Sequence, residues 1–159
     1  MLKSEILIII PARSGSKGIK NKNIIKINKK PLIYYTIKIA KNFGSKKKII
    51  FCSTDSVKIK KICHKFGLKI PFLRPTYLAT DSSLAIDVYK HTIKKINQIY
   101  KKKVETFLVA LPTSPLREVR DINNSIKLFN NLKAESLISC REINFPIKLS
   151  LKINKNKKI

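Results

Sequence analysis

Acidic residues are scarce in this sequence of 159 residues: nine Asp and Glu stand against 35 Lys and Arg, which gives a formal charge of +26. Tryptophan is absent, and there are only three cysteines and four glycines. Cys52, Cys63 and Cys140 are odd in number and lack metal-ligand spacing, which argues against a disulfide framework and against a zinc site. We expect all three to be small buried apolar residues.

Long apolar runs are also missing. No run approaches the ~18 residues that a membrane-spanning helix requires, and the apolar run at residues 6–10 is too short for the core of a signal peptide. The hydrophobic content of 43% is nevertheless too high for a disordered basic chain. We therefore expect a folded cytoplasmic protein with no membrane partner.

The positive charge consists mainly of lysine, because only five of the 35 basic residues are arginine. Surfaces that read nucleic acids favour arginine for its bidentate geometry. Isoleucine and asparagine are also abundant, with 27 and 12 residues. AT-rich codons encode all three residue types, so compositional drift explains the three excesses together, whereas a nucleic-acid interface explains only the lysines. We expect solvated lysines and no nucleic-acid partner.

The chain alternates between apolar strand patterns and amphipathic helix patterns. Strands are predicted at residues 6–11, 48–53, 68–73, 106–111 and 135–140. Helices are predicted from Pro31 to a stop at Gly44, from a cap at Thr54 or Asp55 to Gly67, and at about 83–100 and 119–132. Such repeats predict an α/β fold with a doubly wound, mostly parallel sheet, whose ligands bind outside the carboxyl ends of the strands.

The segment that follows the first strand reads PARSGSKGIKNKN over residues 11–23. Its glycines and serines allow backbone N–H groups to turn inward, and Arg13, Lys17 and Lys22 add positive charge, which is the chemistry that binds a triphosphate. The segment has neither the order of a Walker A loop nor that of a dinucleotide-binding turn. From spacing alone, an ordinary solvent-exposed loop is equally consistent.

Four segments, in this order, resemble the acylneuraminate cytidylyltransferases, also called CMP-sialic acid synthetases. They are residues 11–23, Ser53-Thr54-Asp55, Leu73-Arg74-Pro75 with Leu78-Ala79-Thr80-Asp81, and Leu111-Pro112-Thr113-Ser114-Pro115-Leu116-Arg117. The resemblance implies a Rossmann-like nucleotide-diphospho-sugar transferase (nucleotidyltransferase) fold. It also implies transfer of CMP from CTP to the anomeric hydroxyl of a nonulosonic, sialic-type acid, with release of pyrophosphate.

The resemblance further implies roles for single residues. Arg13 and Lys22 would be the catalytic residues, in contact with the CTP phosphates. The nucleotide-binding residues would be Arg13, Ser16, Lys17, Lys22, Asn23, Arg74 and Ser83. Lys148 would face the sugar, where it could pair with the carboxylate. From local pattern alone, Asp55 and Asp81 are expected to be helix caps.

The sequence departs from the family pattern at three points. Leu111 stands where the family often has a Gln that helps to hold the sugar, and Ala85 replaces a Ser near the nucleotide. Both changes fit a subfamily that acts on another nonulosonic acid, of the pseudaminic or legionaminic type. The third departure is length, because the family continues beyond the end of this chain.

The shorter length sets the expected domain organisation and cofactor. A C-terminally incomplete cytidylyltransferase domain is expected at residues 1–150, followed by a basic frayed tail at residues 151–159. The complete family enzyme would use Mg²⁺ and form a homodimer, and its metal ligands would lie beyond this chain, which itself would hold no metal site.

Two other functions stay open at this point. A non-catalytic basic module could use the same loop for phosphates of nucleic acid or lipid, and it would respond equally to every polyanion. A related enzyme could transfer CMP to 3-deoxy-manno-octulosonate, although the corresponding loop of those enzymes differs from residues 14–18.

Overall fold

The computed structural model describes residues 5–15, 18–44 and 47–140. Its strands are β1 (Ile6–Pro11), β2 (Lys26–Ile27), β3 (Lys30–Pro31), β4 (Lys48–Ser53) and β5 (Thr106–Val109). Its α-helices are α1 (Leu32–Asn42), α2 (Val57–Lys65), α3 (Ala85–Tyr100) and α4 (Val119–Asn131), with short 3-10 helices at Lys22–Ile24 and Thr76–Leu78. Strands and helices follow the predicted alternation only in part, because β1, β2 and β3 succeed one another and no strand separates α2 from α3.

Strand β1 is the centre of a parallel sheet with the order β4-β1-β5. Residues 6–10 are at most 1% exposed, so both faces of this strand are covered. A run of mostly β-branched side chains suits such a position, because each side chain packs whichever face it points to. The register places Ile6 opposite Lys48 on one side and opposite Thr106 on the other.

The chain crosses the sheet in two opposite directions. It reaches β4 through α1 on one side of β1, and it reaches β5 through α2 and α3 on the other. Right-handed crossovers in opposite directions place their helices on opposite faces of a sheet. Helices α1 and α3 both pack against β1, and α4 packs against α1. The reversal leaves a crevice at the carboxyl ends of β1 and β5, where doubly wound folds bind their ligands.

The cap of helix α2 differs from the prediction. Ser56 is the N-cap, and its Oγ accepts a hydrogen bond from the backbone N of Ile59 at 3.3 Å. The predicted caps, Thr54 and Asp55, are wrong, because the Asp55 carboxylate binds a different loop. The predicted end of the helix is confirmed: Gly67 follows it with a φ of +71°, a conformation that favours glycine.

One predicted strand, at residues 68–73, does not form. Leu68 and Ile70 are buried as a strand pattern requires, but the segment joins no ladder. Pro71 has no N–H to donate to a neighbouring strand, and the N–H of Ile70 is donated instead to His64 Nε2 at 3.3 Å. Leu68 and Ile70 are therefore buried in an irregular segment that packs on the core.

The predicted strand at residues 135–140 is also wrong. Within the described part of the chain these residues pair with no strand, and Ile138 is 85% exposed. Cys140 in this segment is exposed, contrary to the expectation, whereas Cys52 and Cys63 are buried as expected.

Candidate active site

A cleft of about 510 Å³ lies at the carboxyl ends of β1 and β5. Five of the residues that the resemblance assigns to the nucleotide line this cleft: Arg13, Lys22, Asn23, Arg74 and Ser83. They come from two segments of the chain, residues 13–23 and 74–83, which the fold brings together. Ser16, Lys17 and Lys148, the other three assigned residues, lie outside the described residues.

Arg13 lies immediately beyond the buried end of β1, and its side chain crosses to the opposite wall. Its Nη1 donates to the backbone O of Ala79 at 3.3 Å, and its Nη2 donates to Oδ1 of Asp81 in an ion pair. The expectation that Asp81 caps helix α3 is wrong, because Leu84 holds the N-cap position. The carboxylate instead binds the arginine that was assigned to phosphate.

The 3-10 helix Lys22–Ile24 forms the floor beside Arg13. Asn23 is buried, and its Nδ2 donates to the backbone O of Arg13 at 3.0 Å, which ties the helix to the end of β1. Lys22 is half-buried and lines the cleft. Among the described residues it has no carboxylate partner, so its ammonium group is available to an anion in the cleft.

A second carboxylate fastens the loop after β1 to the end of β4. The Oδ1 of Asp55 accepts a hydrogen bond from the backbone N of Ser14 at 2.9 Å, and its Oδ2 accepts one from Ser14 Oγ. Both carboxylate oxygens thus hold one residue of the loop, in the position next to Arg13. This bidentate contact fixes the path of the main chain at the mouth of the cleft.

The Asp55 contact predicts graded losses of stability. Asp55→Ala removes both hydrogen bonds and should lower the free energy of unfolding by about 1–2 kcal/mol, while Ser14→Ala removes only the hydroxyl bond and should cost less than about 1 kcal/mol. Urea unfolding followed by circular dichroism measures both values. If Asp55→Ala cost no more than Ser14→Ala, the bond from the backbone N of Ser14 to Asp55 would not stabilise the loop and this assignment would be wrong.

Arg74 is 6% exposed and forms the inner wall of the cleft. Its Nε donates to Ser53 Oγ at 3.1 Å, its Nη2 donates to the backbone O of Ser53, and its Nη1 donates to the backbone O of Leu78 at 3.3 Å. Burial lowers the pKa of Arg74, and the charge of Asp55 partly opposes this effect. Arg74 thus connects the end of β4 to the segment that leads to Asp81.

Ser83 belongs to a turn that its own hydroxyl holds together. Its Oγ donates to the backbone O of Tyr77 at 2.8 Å and accepts from the backbone N of Thr80 at 3.2 Å. The turn forms the wall opposite β1, so the residue assigned to the nucleotide also shapes the surface that a nucleotide would meet.

Val88 and Tyr89 are cleft residues that were not singled out from the sequence, whereas Ala85 and Leu111 were. Ala85, Val88 and Tyr89 line the cleft from helix α3, and their spacing of three and four residues is the signal that places them on one face. Burial raises the pKa of Tyr89, and the charge of Arg74 opposes it. Leu111, which is 45% exposed, lines the cleft beyond β5.

Neither a metal site nor a membrane span is present in the part of the chain that the structure describes. Among residues 5–15, 18–44 and 47–140, no three His, Cys, Asp or Glu side chains come close enough to hold a metal ion. Asp81, the one carboxylate among the described cleft residues, is paired with Arg13, so these residues do not fit a divalent cation. None of the helices in residues 5–15, 18–44 and 47–140 is long and apolar enough to cross a membrane.

The sequence matches the cytidylyltransferase family over residues 7–153. It is 37% identical over 146 residues to the N-acylneuraminate cytidylyltransferase of Escherichia coli O18:K1:H7, a match that covers 91% of this chain and 33% of that protein. It is 33% identical over 156 residues to the pseudaminic acid cytidylyltransferase of Campylobacter jejuni. This match covers 96% of this chain and 65% of that protein.

The fold is similar to a solved structure of CMP:2-keto-3-deoxy-manno-octonic acid synthetase complexed with CTP. The TM-score is 0.65 over 82% of this chain and 49% of that one, at 20% sequence identity. This likeness confirms the predicted nucleotidyltransferase fold. The chain spans between a third and two thirds of the lengths of these three proteins. Because the family match extends over nearly the whole sequence, the chain belongs to the cytidylyltransferase family.

Proposed function

We propose that the complete protein transfers CMP from CTP to the anomeric hydroxyl of a nonulosonic acid and releases pyrophosphate. One observation carries this proposal: Arg13, Lys22, Asn23, Arg74 and Ser83, which the resemblance assigns to the nucleotide, line one cleft at the carboxyl ends of β1 and β5. A doubly wound sheet binds its ligands at this reversal point. The names of two curated relatives agree with the proposal, since one is an N-acylneuraminate cytidylyltransferase and the other a pseudaminic acid cytidylyltransferase.

The proposed reaction forms one bond and breaks one. The sugar hydroxyl attacks the α-phosphorus of CTP, its proton passes to solvent, and the bond from the α-phosphorus to the bridging oxygen breaks. Negative charge grows on the departing pyrophosphate, so fixed cations beside it lower the barrier. Arg13 and Lys22 supply these cations, while Asn23 and Asp55 hold the main chain that carries Arg13.

The sugar side of the cleft supports a preference within this substrate class. The family resemblance places the sugar next to Leu111, which is half exposed in the cleft and cannot form a hydrogen bond through its side chain. Such a wall favours a sugar that presents a methyl group over one that presents a hydroxyl, because a hydroxyl would lose its hydrogen bonds to water without replacement. Nonulosonic acids of the pseudaminic or legionaminic type therefore suit Leu111 better than neuraminic acid.

Other parts of the proposal rest on the family resemblance. They are phosphate contacts from Ser16 and Lys17, a sugar carboxylate contact from Lys148, and a cytidylyltransferase domain at residues 1–150 with a basic tail at 151–159. We also propose a homodimeric cytoplasmic enzyme that requires Mg²⁺ and has neither nucleic acid nor membrane as a partner. None of the reaction steps assigned to Arg13 and Lys22 depends on where that metal is bound.

Pyrophosphate release tests the proposed function. The purified protein is incubated with Mg²⁺, one of CTP, UTP or ATP, and one of four sugars: neuraminic, legionaminic or pseudaminic acid derivatives, or 3-deoxy-manno-octulosonate. Release is expected with CTP and a nonulosonic acid. Release with 3-deoxy-manno-octulosonate alone, or at equal rates with all three nucleotides, would overturn the proposal.

A further inference from the structure

Asp81 is the only carboxylate among the described residues that line the cleft, and it is bound to the arginine assigned to phosphate. The side chains of Arg13 and Asp81 are 29% and 44% exposed. The ion pair therefore stands at the accessible face of the cleft, where an entering ligand reaches both groups. The buried guanidinium of Arg74, by contrast, is held by neutral oxygens.

The main chain of Arg13 is fixed, while its side chain can exchange partners. Asn23 donates to the backbone O of Arg13 at 3.0 Å, and Asp55 accepts from the backbone N of Ser14 at 2.9 Å. These contacts hold the residue in place independently of Asp81. An anion entering the cleft can replace the carboxylate on the guanidinium without displacing the loop.

The turn that carries Asp81 has contacts of its own. Ser83 Oγ accepts from the backbone N of Thr80 and donates to the backbone O of Tyr77, at 3.2 and 2.8 Å. When Asp81 is released from Arg13, the hydrogen bonds of Ser83 therefore still hold the turn. It also relieves a conflict, because a phosphate on Arg13 would otherwise lie against the carboxylate, and like charges at contact distance repel.

We propose that Asp81 occupies the phosphate position on Arg13 in the ligand-free cleft and is displaced by an entering polyphosphate, so that this carboxylate sets the affinity of the cleft for polyphosphate. The inference deepens the proposed function and rests on it only for the identity of the nucleotide. Any polyphosphate that reaches Arg13 meets the same competitor.

Calorimetric titration with inorganic triphosphate tests the exchange directly. Asp81→Asn removes the competing charge and should bind triphosphate about two- to fivefold more tightly than the wild type, the range that displacement of a half-exposed ion pair allows. Asp87→Asn is the matched control: Asp87 lies in the first turn of α3, outside the lining of this cleft, and its substitution changes the net charge equally. The affinity of Asp87→Asn for triphosphate should rise less than that of Asp81→Asn.

Two results would overturn the inference. If Asp81→Asn binds triphosphate more weakly than the wild type, Asp81 orients Arg13 rather than competing for it. If its affinity equals that of Asp87→Asn, only overall charge matters. Thermal unfolding of each variant checks that it is folded. Asp81→Ser is a second variant that also removes the carboxylate, and it should bind triphosphate more tightly as Asp81→Asn does. In an Arg13→Ala background the advantage of Asp81→Asn over Asp87→Asn should vanish, and its persistence would also count against the exchange.

The same titration with nucleotides separates this inference from the proposed function. If Asp81→Asn tightens triphosphate binding while CTP binds no better than ATP or UTP, the exchange at Arg13 stands and the preference for cytidine fails. If CTP is preferred but Asp81→Asn does not tighten binding, the proposed function stands and the exchange fails.

Discussion

Replacement of Arg13 by alanine is expected to weaken CTP binding about ten- to a hundredfold and to reduce pyrophosphate release about a hundredfold or more. The guanidinium stands beyond the buried end of β1, and the cleft offers few other cations: among the described lining residues these are Lys22 and the buried Arg74. A charge-assisted hydrogen bond to a departing phosphate is stronger in the transition state than in the bound substrate. Calorimetry and a coupled pyrophosphate assay measure the two effects.

Arg120→Ala is the matched control for Arg13→Ala. Arg120 lies on α4, is 77% exposed and pairs with Glu118 at 3.4 Å, so its removal lowers the net charge equally without touching the cleft. Both activity and CTP affinity should stay close to the wild-type values. Equal losses in the two variants would mean that general positive charge, rather than the position of Arg13, is responsible for phosphate binding.

Arg74→Met is expected to lower the free energy of unfolding by about 2–4 kcal/mol. Arg74 is nearly fully buried, and its removal leaves the Ser53 hydroxyl and the backbone oxygens of Ser53 and Leu78 without their donor. A buried polar atom that loses its partner costs more than an exposed one, because water cannot replace the bond. Urea denaturation monitored by circular dichroism measures the change.

Arg117→Met is a matched comparison for this loss. Arg117 is half-buried, and in the described structure its Nη1 is buried without a hydrogen-bond partner. Burial lowers the pKa of Arg117, with Asp121 opposing, so the charge is poorly compensated. Its removal should change stability by less than about 1 kcal/mol. If both substitutions cost the same, the three Arg74 hydrogen bonds do not stabilise the cleft wall.

The position of the cleft could be predicted from the sequence because it depends on where parallel strands end. The run of isoleucines in β1 identifies a central strand, and parallel strands carry the loops after them to one edge of the sheet. That rule and the family resemblance together predict one site for Arg13, Lys22, Asn23, Arg74 and Ser83, and all five line the cleft. Their roles in the reaction remain predictions.

The contacts of Asp55 and Asp81 could not be read from local pattern. An acidic residue just before a helix is typical of a cap, but these two carboxylates bind residues 41 and 68 positions away. Such partners depend on how the loops meet at the sheet edge. The prediction of a strand at residues 68–73 was also wrong because it used local pattern alone. The pattern showed that the segment is buried, but not that Pro71 prevents it from pairing with a neighbouring strand.

The lysine excess agrees with a solvated surface. Nearly all lysines in the described part of the chain are exposed, with Lys22, Lys48 and Lys60 half-buried. Lys48 donates to the backbone O of Lys41 at 2.6 Å and to that of Phe43, which satisfies carbonyl groups at the end of α1. Lys22 differs from the others because it lies in the cleft without a carboxylate partner among the described residues. Lys22 is thus distinguished from the many other lysines by its position in the fold.

Thermal unfolding with equal concentrations of CTP, UTP, ATP and inorganic triphosphate tests the central claim most directly. A cytidylyltransferase cleft predicts that CTP raises the midpoint temperature more than the other three ligands, because only a ligand bound specifically to the folded state stabilises it beyond the common phosphate contribution. The excess should disappear in Arg13→Ala and remain in Arg120→Ala. Equal stabilisation by all four polyanions, removed by added salt, would contradict the claim and identify a non-catalytic basic module.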